Sequence, residues 1–166
     1  MLASQGRLEA VLATRTADKV AQYEEDTSIA DAAMRLGVRL YWEDEIDAPY
    51  SSSSRAVAGL VVAPCSTRTL AAIALGLADN LVTRAALAHL RLGRRVVLVI
   101  RETPLGIAEI RNMLRAAESG AVILPAAPGF YHKPRTVDDM VNFVVGKILD
   151  VLGVPHDLYA RWRRDG

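Results

Sequence analysis

Apolar and polar residues alternate along the chain in blocks whose lengths and periods suit strands and helices in turn. Leu8–Arg15 reads as a short buried strand ending at Thr14, followed by a helix over 16–26. A second helix begins behind Ser28, a suitable N-cap, and is stopped by Gly37. Val38–Trp42 is the next strand, and the polar stretch 43–54 is the loop in which mobility is expected. Leu60–Ala63 is wholly apolar and bounded by Pro64, with a helix from about Thr69 to Leu77 and another from Leu81 to a stop at Gly93. Val96–Ile100 is a strand. The following helix places Ile107, Ile110, Met113 and Leu114 on one face and ends at Gly120. Ala121–Pro125 is the last strand. The last strongly patterned helix has Thr136 as cap, two aspartates in its first turn, and Val137, Met140, Val141, Val144 and Ile148 on one stripe. Strands alternating with amphipathic helices predict one α/β domain over residues 1–166. Its sheet is open, doubly wound and mostly parallel, of the Rossmann or flavodoxin kind.

Composition sharpens this picture and excludes several functions. Hydrophobic residues make up 51% of the chain but aromatics only 5%, so the core must be aliphatic, as under helices packed on a parallel sheet. A net charge of +1 gives no general attraction to nucleic acid or an anionic membrane. The single cysteine, Cys65, excludes an intramolecular disulfide, and the three histidines show no metal-ligand spacing, so no metal is expected. No apolar run has the roughly 20 residues of a spanning helix, and no signal-peptide pattern opens the sequence. A soluble cytoplasmic protein is the default expectation.

In such sheets ligands bind beyond the carboxyl ends of the strands, beside helix N-termini. The residues at those exits are Thr14-Arg15, Cys65 to Thr69, Arg101-Glu102-Thr103 and the loop Pro125 to Arg135. Hydroxyls and cations with one carboxylate suit an anionic, phosphate-bearing ligand. Ser66 or Thr67 serves equally as a helix N-cap, and the two roles are compatible. Arg101-Glu102 reads either as a solvated pair or as functional, and its place after a buried strand favours function. Tyr131 and His132 lie in a Pro- and Gly-bounded loop that is a turn or a site with equal support. Lys147 falls off the apolar stripe of its helix, which by pattern alone describes a solvated side chain. The closing LYARWRRDG is weak as a nucleic-acid signal and reads better as a docking C-terminal helix anchored by Trp162. Cys65, at the end of a buried run without a histidine nearby in sequence, suits a small hydrophobe better than a nucleophile.

The stretches VVAPCSTRTLAAIALGLADNLVTRAA, VVLVIRETPL, NMLRAAESGAVILPAAPGFYHKPRTVDDMVNFVVGKILDVLG and HDLYARW together resemble the UbiX-type flavin prenyltransferases, almost unbroken from Gly59 to Trp162. The order and spacing of PCSxxT, RETPL and FYHxP carry this resemblance. The related cysteine decarboxylase flavoproteins differ at these motifs. The resemblance implies transfer of a dimethylallyl group from dimethylallyl phosphate to N5 and C6 of reduced FMN, without metal. The prenylated FMN would serve a UbiD-type decarboxylase. It also implies a homododecamer with sites at subunit interfaces. On matching positions, Thr14, Ser66, Thr67, Arg68, Thr69 and Arg101 would contact FMN, and Arg91, Tyr131 and Lys147 the prenyl phosphate. As catalytic residues the resemblance implies Glu102, which would move protons, Trp162, which would help close the pocket, and Glu24, which matches a family glutamate.

The chain also departs from that pattern. The family opens with a strand and a GASG-like turn that have no counterpart before Leu8, so the expected fold lacks one N-terminal strand-helix unit. Ser52-Ser53-Ser54 stands where the family has a glycine-containing turn, and Arg55 replaces an aromatic. Arg91 stands for a lysine, and Lys147 for an arginine, losing the bidentate fork. Two alternatives therefore stand beside the enzyme: a non-catalytic FMN-binding accessory subunit of a hydroxyarylic acid decarboxylase, and an inactive oligomer-forming paralogue.

Overall fold

The computed structural model describes residues 2–55 and 57–161. Five strands and six helices follow one another in the order β1 (Ala10–Ala13), α1 (Arg15–Glu25), α2 (Ile29–Arg35), β2 (Arg39–Trp42), β3 (Gly59–Cys65), α3 (Thr67–Ala74), α4 (Leu81–Arg91), β4 (Arg95–Ile100), α5 (Ile107–Glu118), β5 (Val122–Pro125) and α6 (Val137–Leu152). All strand pairs are parallel, as the intervening helices require. They form two ladders, β1-β2 and β3-β4-β5. The expected open sheet is thus divided between β1 and β3, although residues of both pack on the same cluster as Leu81 and Ala85 of α4.

β4 shows why the helices lie on both faces. Val96, Leu98 and Ile100 point into a cluster with Leu70, Ile73, Ala86 and Ala116 from α3, α4 and α5. Val97 and Val99 alternate to the other face, against Val144, Ile148, Val151 and Leu152 of α6. Every residue from Val96 to Ile100 is buried, which fits a strand covered on both sides.

Several expectations need correction. Pro64 does not bound its strand: β3 continues through it to Cys65, with a cis Ala63-Pro64 peptide and a register shift between Val62 and Cys65. α3 begins at Thr67, two residues early, because Ser66 caps it by accepting from the Thr69 amide. The polar loop after β2 is anchored, with Ala48 and Tyr50 buried against Tyr41 and Leu81 and a 3-10 turn over Pro49–Ser51. On α5 only Met113 of the expected stripe packs on the core, while Ile107, Ile110 and Leu114 are 64%, 49% and 59% exposed. The buried side of α5 is instead lined by the small Ala116. The α6 stripe also splits: Val144 and Ile148 pack on the sheet, whereas Val137 and Val141 are exposed. Residues 154–161 form no helix, and their buried anchor is Tyr159. Trp162 lies outside the described residues.

Candidate functional site

The strand exits and the C-terminal segment place the candidate residues in two groups. The first lies along the carboxyl edge. Thr14 leaves β1 and caps α1, its Oγ1 accepting from the Ala17 amide at 3.0 Å. Ser66 leaves β3 and does the same for α3; its hydroxyl also donates to Thr69 Oγ1 at 3.0 Å. Hydroxyls and free first-turn amides therefore stand together at the start of α3, an arrangement suited to an anion. The capping and ligand readings of Ser66 remain compatible, because its oxygen accepts from the Thr69 amide while its O–H, here given to Thr69 Oγ1, can turn to donate to an anion. Arg68 points aside to an ion pair with Asp79 at 3.0 Å.

Arg101 and Glu102 leave β4. The Arg101 guanidinium lies 3.8 Å from the carboxylate of Glu24, near the end of α1, so two residues far apart in sequence meet here. Both are more than half exposed, and such a pair adds little stability. The Glu102 carboxylate accepts from the Thr103 amide at 3.1 Å and is otherwise open to solvent. Its exposure leaves it accessible to a ligand at this edge.

Cys65, between these exits, is 3% exposed, and burial pushes its thiol pKa up to about 12. A thiol held protonated in this way is a poor nucleophile. The residue packs in the core with Leu70 and Ile100.

The second group forms around α6. Tyr131 and His132, from the loop after β5, lie against Phe143: Tyr131 edge-on at 5.8 Å between centroids, His132 stacked at 4.9 Å and 7°. Both ring nitrogens of His132 are shielded and without a hydrogen-bond partner among the described residues. Phe143 in turn touches Tyr159 at 5.0 Å. Lys147 is not solvated as its pattern suggested: its ammonium lies 5.2 Å from the Phe143 ring centre and 4.7 Å from that of Tyr159. Attraction to the Tyr159 hydroxyl, opposed by burial, holds the Lys147 pKa above its ordinary value. Tyr131 and Lys147 are thus gathered on one aromatic cluster, with a cation presented between rings. Beside it, His132, Lys133, Arg135, Asp139 and Tyr159 help line an open hollow of about 360 Å³.

Arg91 joins neither group. It sits at the C-terminal end of α4, just before the turn into β4, and therefore at the amino edge of the sheet, opposite the exits. Sequence reasoning passed over Phe143, Asp150, His156, Tyr159 and Arg161. Phe143 was hidden inside an apolar helix, and the other four converge only when the chain folds back on α6. Among the described residues no group of three or more His, Cys, Asp or Glu side chains could hold a metal ion.

Comparison with known proteins gives concordant results. The flavoprotein family model matches residues 2–149. The flavin prenyltransferase UbiX of Saccharolobus solfataricus is 44% identical over 155 residues, covering 92% of this chain and 77% of that protein. The crystal structure of AnUbiX (PadA1) in complex with FMN and dimethylallyl pyrophosphate superposes with a TM-score of 0.93 at 35% identity, over 98% of this chain and 86% of the other. A dodecameric FMN-dependent UbiX-like decarboxylase from Escherichia coli O157:H7 gives 0.92 at 37% identity, over 98% and 88%.

Proposed function

The chain belongs to the UbiX family of flavin prenyltransferases, within the flavoproteins, and from that membership we propose that it transfers a dimethylallyl group from dimethylallyl phosphate to reduced FMN. The reading extends to the use of the product, prenylated FMN, by a UbiD-type decarboxylase, to a cytoplasmic location, and to a single functional domain over residues 1–166. No helix among the described residues is long and apolar enough to cross a membrane. The observation that carries the proposal is the pairing of two sets of groups that this reaction needs. One is a hydroxyl- and amide-rich helix start beside Arg101 and Glu102; the other is a cation, Lys147, held over aromatic rings beside Tyr131.

FMN fits the first set. Ser66, Thr67 and Thr69 offer hydroxyls and the first amides of α3, Thr14 offers a further hydroxyl, and the exposed Arg101 a cation. Arg68 can contribute only by leaving Asp79. Bound reduced FMN would supply the electron-rich ring that accepts the prenyl group. The chain's own task is to bind the prenyl phosphate, ionise it, and exclude water. Lys147 and Tyr131 would hold the phosphate, drawing off the negative charge that grows as the allylic C–O bond breaks. The faces of Phe143 and Tyr159 stabilise positive charge nearby, which suits an allylic cation as well as an ammonium. Glu102, held near the exit of β4 by the Thr103 amide, would shuttle the proton. Glu24 would steady Arg101.

Arg91 fits this scheme only from another copy, because it lies at the far edge of its own sheet. The exposed apolar side chains Ile107, Ile110, Leu114, Val137 and Val141 support assembly into a homo-oligomer, a homododecamer in this proposal. The test is anaerobic incubation of the purified protein with reduced FMN and dimethylallyl phosphate. Formation of prenylated FMN, seen by absorbance and mass, supports the enzyme. FMN binding without product turns the reading to an accessory subunit. Colourless protein that takes up no FMN overturns both.

A further inference from the structure

Asp150 stands where helix electrostatics disfavour it. It lies in the last turn of α6, at the negative end of the helix dipole, and no basic residue shares that turn. Three donors from the returning C-terminal segment converge on it. The Tyr159 hydroxyl donates to Oδ2 at 2.5 Å, Arg161 Nη2 to Oδ1 at 2.8 Å, and His156 Nε2 meets Oδ1 at 3.1 Å. His156 Nδ1 accepts from the Leu158 amide at 3.3 Å, which assigns the proton to Nε2 and makes the ring a neutral donor to Asp150. Burial works against the charged carboxyl, but the hydrogen bonds from Tyr159, Arg161 and His156 outweigh it and hold its pKa at about 2.

Lys147 and Asp150 are three residues apart on one helix, a spacing at which opposite charges commonly pair. Here both Asp150 oxygens are taken by other donors, and the Lys147 ammonium lies instead over Tyr159 and Phe143. The Tyr159 ring that carries it is fixed at three points: its hydroxyl on Asp150, its plane tilted against Phe143, and its edge against Gly146.

We propose that Asp150 is a positioning residue for prenyl-phosphate binding: by tying Tyr159 and Arg161 to α6 it fixes the ring over which the Lys147 ammonium lies and so keeps that ammonium aimed at the phosphate. The inference rests on the function proposed above and adds to it a residue that touches neither substrate nor FMN.

Asp150→Asn, Asp150→Glu and Tyr159→Phe test it, with three measurements on each. These are KM and kcat for dimethylallyl phosphate, FMN affinity by flavin fluorescence, and hydrogen exchange of residues 154–161. For Asp150→Asn, KM is expected to rise about tenfold, a loss of ~1.4 kcal/mol, with FMN affinity unchanged. Exchange of the segment should rise with KM. Tyr159→Phe should move both in the same direction, and Asp150→Glu should restore much of the effect. An Asp150→Asn variant with free exchange but unchanged KM overturns the proposal, as does one whose FMN affinity and melting temperature fall together with KM. Should the wild type transfer no prenyl group, the proposed function fails first. Calorimetric titration with dimethylallyl phosphate then decides separately, since unaltered affinity in Asp150→Asn overturns the positioning role.

Discussion

Gly146 faces the Tyr159 ring from inside α6, and a single methyl group there should separate the fold from the site. A Cβ at this position would lie 2.5 Å from both Tyr159 Cδ1 and Cε1 and 2.8 Å from His156 Cε1. Carbon atoms in contact need roughly 3.5–4 Å, so Gly146→Ala must push the ring away by about 1 Å. Neither ring has a flexible far end that can swing aside, and Tyr159 also packs against Phe143 at 5.0 Å between centroids. Moving the ring 1 Å along this direction strains the Tyr159–Asp150 hydrogen bond, which starts at 2.5 Å. The overpacking costs ~1–3 kcal/mol. Alanine in a helix interior returns about 1 kcal/mol relative to glycine. The gain falls on α6 and the loss on the docked segment, so global stability should change little while the segment loosens. A net change within ~1–2 kcal/mol moves the melting temperature by only a few degrees for a chain of this size. Hydrogen exchange of residues 154–161 should meanwhile rise about tenfold, or ~1.4 kcal/mol of local opening. KM for dimethylallyl phosphate should rise in parallel, with FMN affinity unmoved. If exchange and KM both stay at wild-type values, the close packing of Tyr159 on Gly146 does not position Lys147. A variant that unfolds outright shows instead that the contact belongs to the core.

Glu102→Gln should keep FMN bound and lower prenyl transfer at least about a hundredfold; full turnover would remove Glu102 from the mechanism. Cys65→Ala should leave transfer nearly unchanged and cost about 1 kcal/mol in denaturant unfolding, and the native thiol should resist iodoacetamide at pH 8; loss of transfer with FMN still bound would contradict this. The Asp150 carboxyl has a folded pKa of about 2 against an ordinary 3.8, so its stabilisation is present above about pH 4 and is lost as pH falls toward 2. Acid titration of stability should therefore flatten over that interval in Asp150→Asn, and an identical slope would refute the assignment. Co-assembling Arg91→Ala with Glu102→Gln subunits should restore activity at about one site in four, where intact Glu102 and Arg91 meet across an interface; no recovery would place Arg91 outside the site.

Most of the fold was legible because local signals agreed with tertiary ones. Ser28, Ser66 and Thr136 each cap the helix that follows them, and β4 is as apolar as a strand covered on both faces must be. The failures came where a local sign has two physical meanings. Pro64 reads as a stop because it lacks an amide donor, yet the chain passes through it to Cys65 at a point where the β3-β4 register shifts. The stripe Ile107, Ile110 and Leu114 reads as a buried face because periodicity reports amphipathicity, not which partner covers it. A helix that meets another copy shows the same pattern as one that meets its own sheet.

The site divided along a similar line. The placement of Thr14, Ser66 and Arg101-Glu102 at the carboxyl edge was legible because a strand exit is a position in sequence as well as in space. The pattern of α6 alone gave Lys147 as a solvated side chain because its neighbours are not local: Tyr159 lies twelve residues later, beyond the end of α6. One local sign did point there. Asp150, an acidic residue in a helix's last turn, is unfavourable in isolation. A sequence that keeps such a charge requires compensation from outside the helix, and the stretch His156 to Arg161 supplies the donors. A charge at the wrong end of a helix is therefore best treated as a missing contact to be sought. In this chain that search leads from Asp150 through Tyr159 to the Lys147 ammonium.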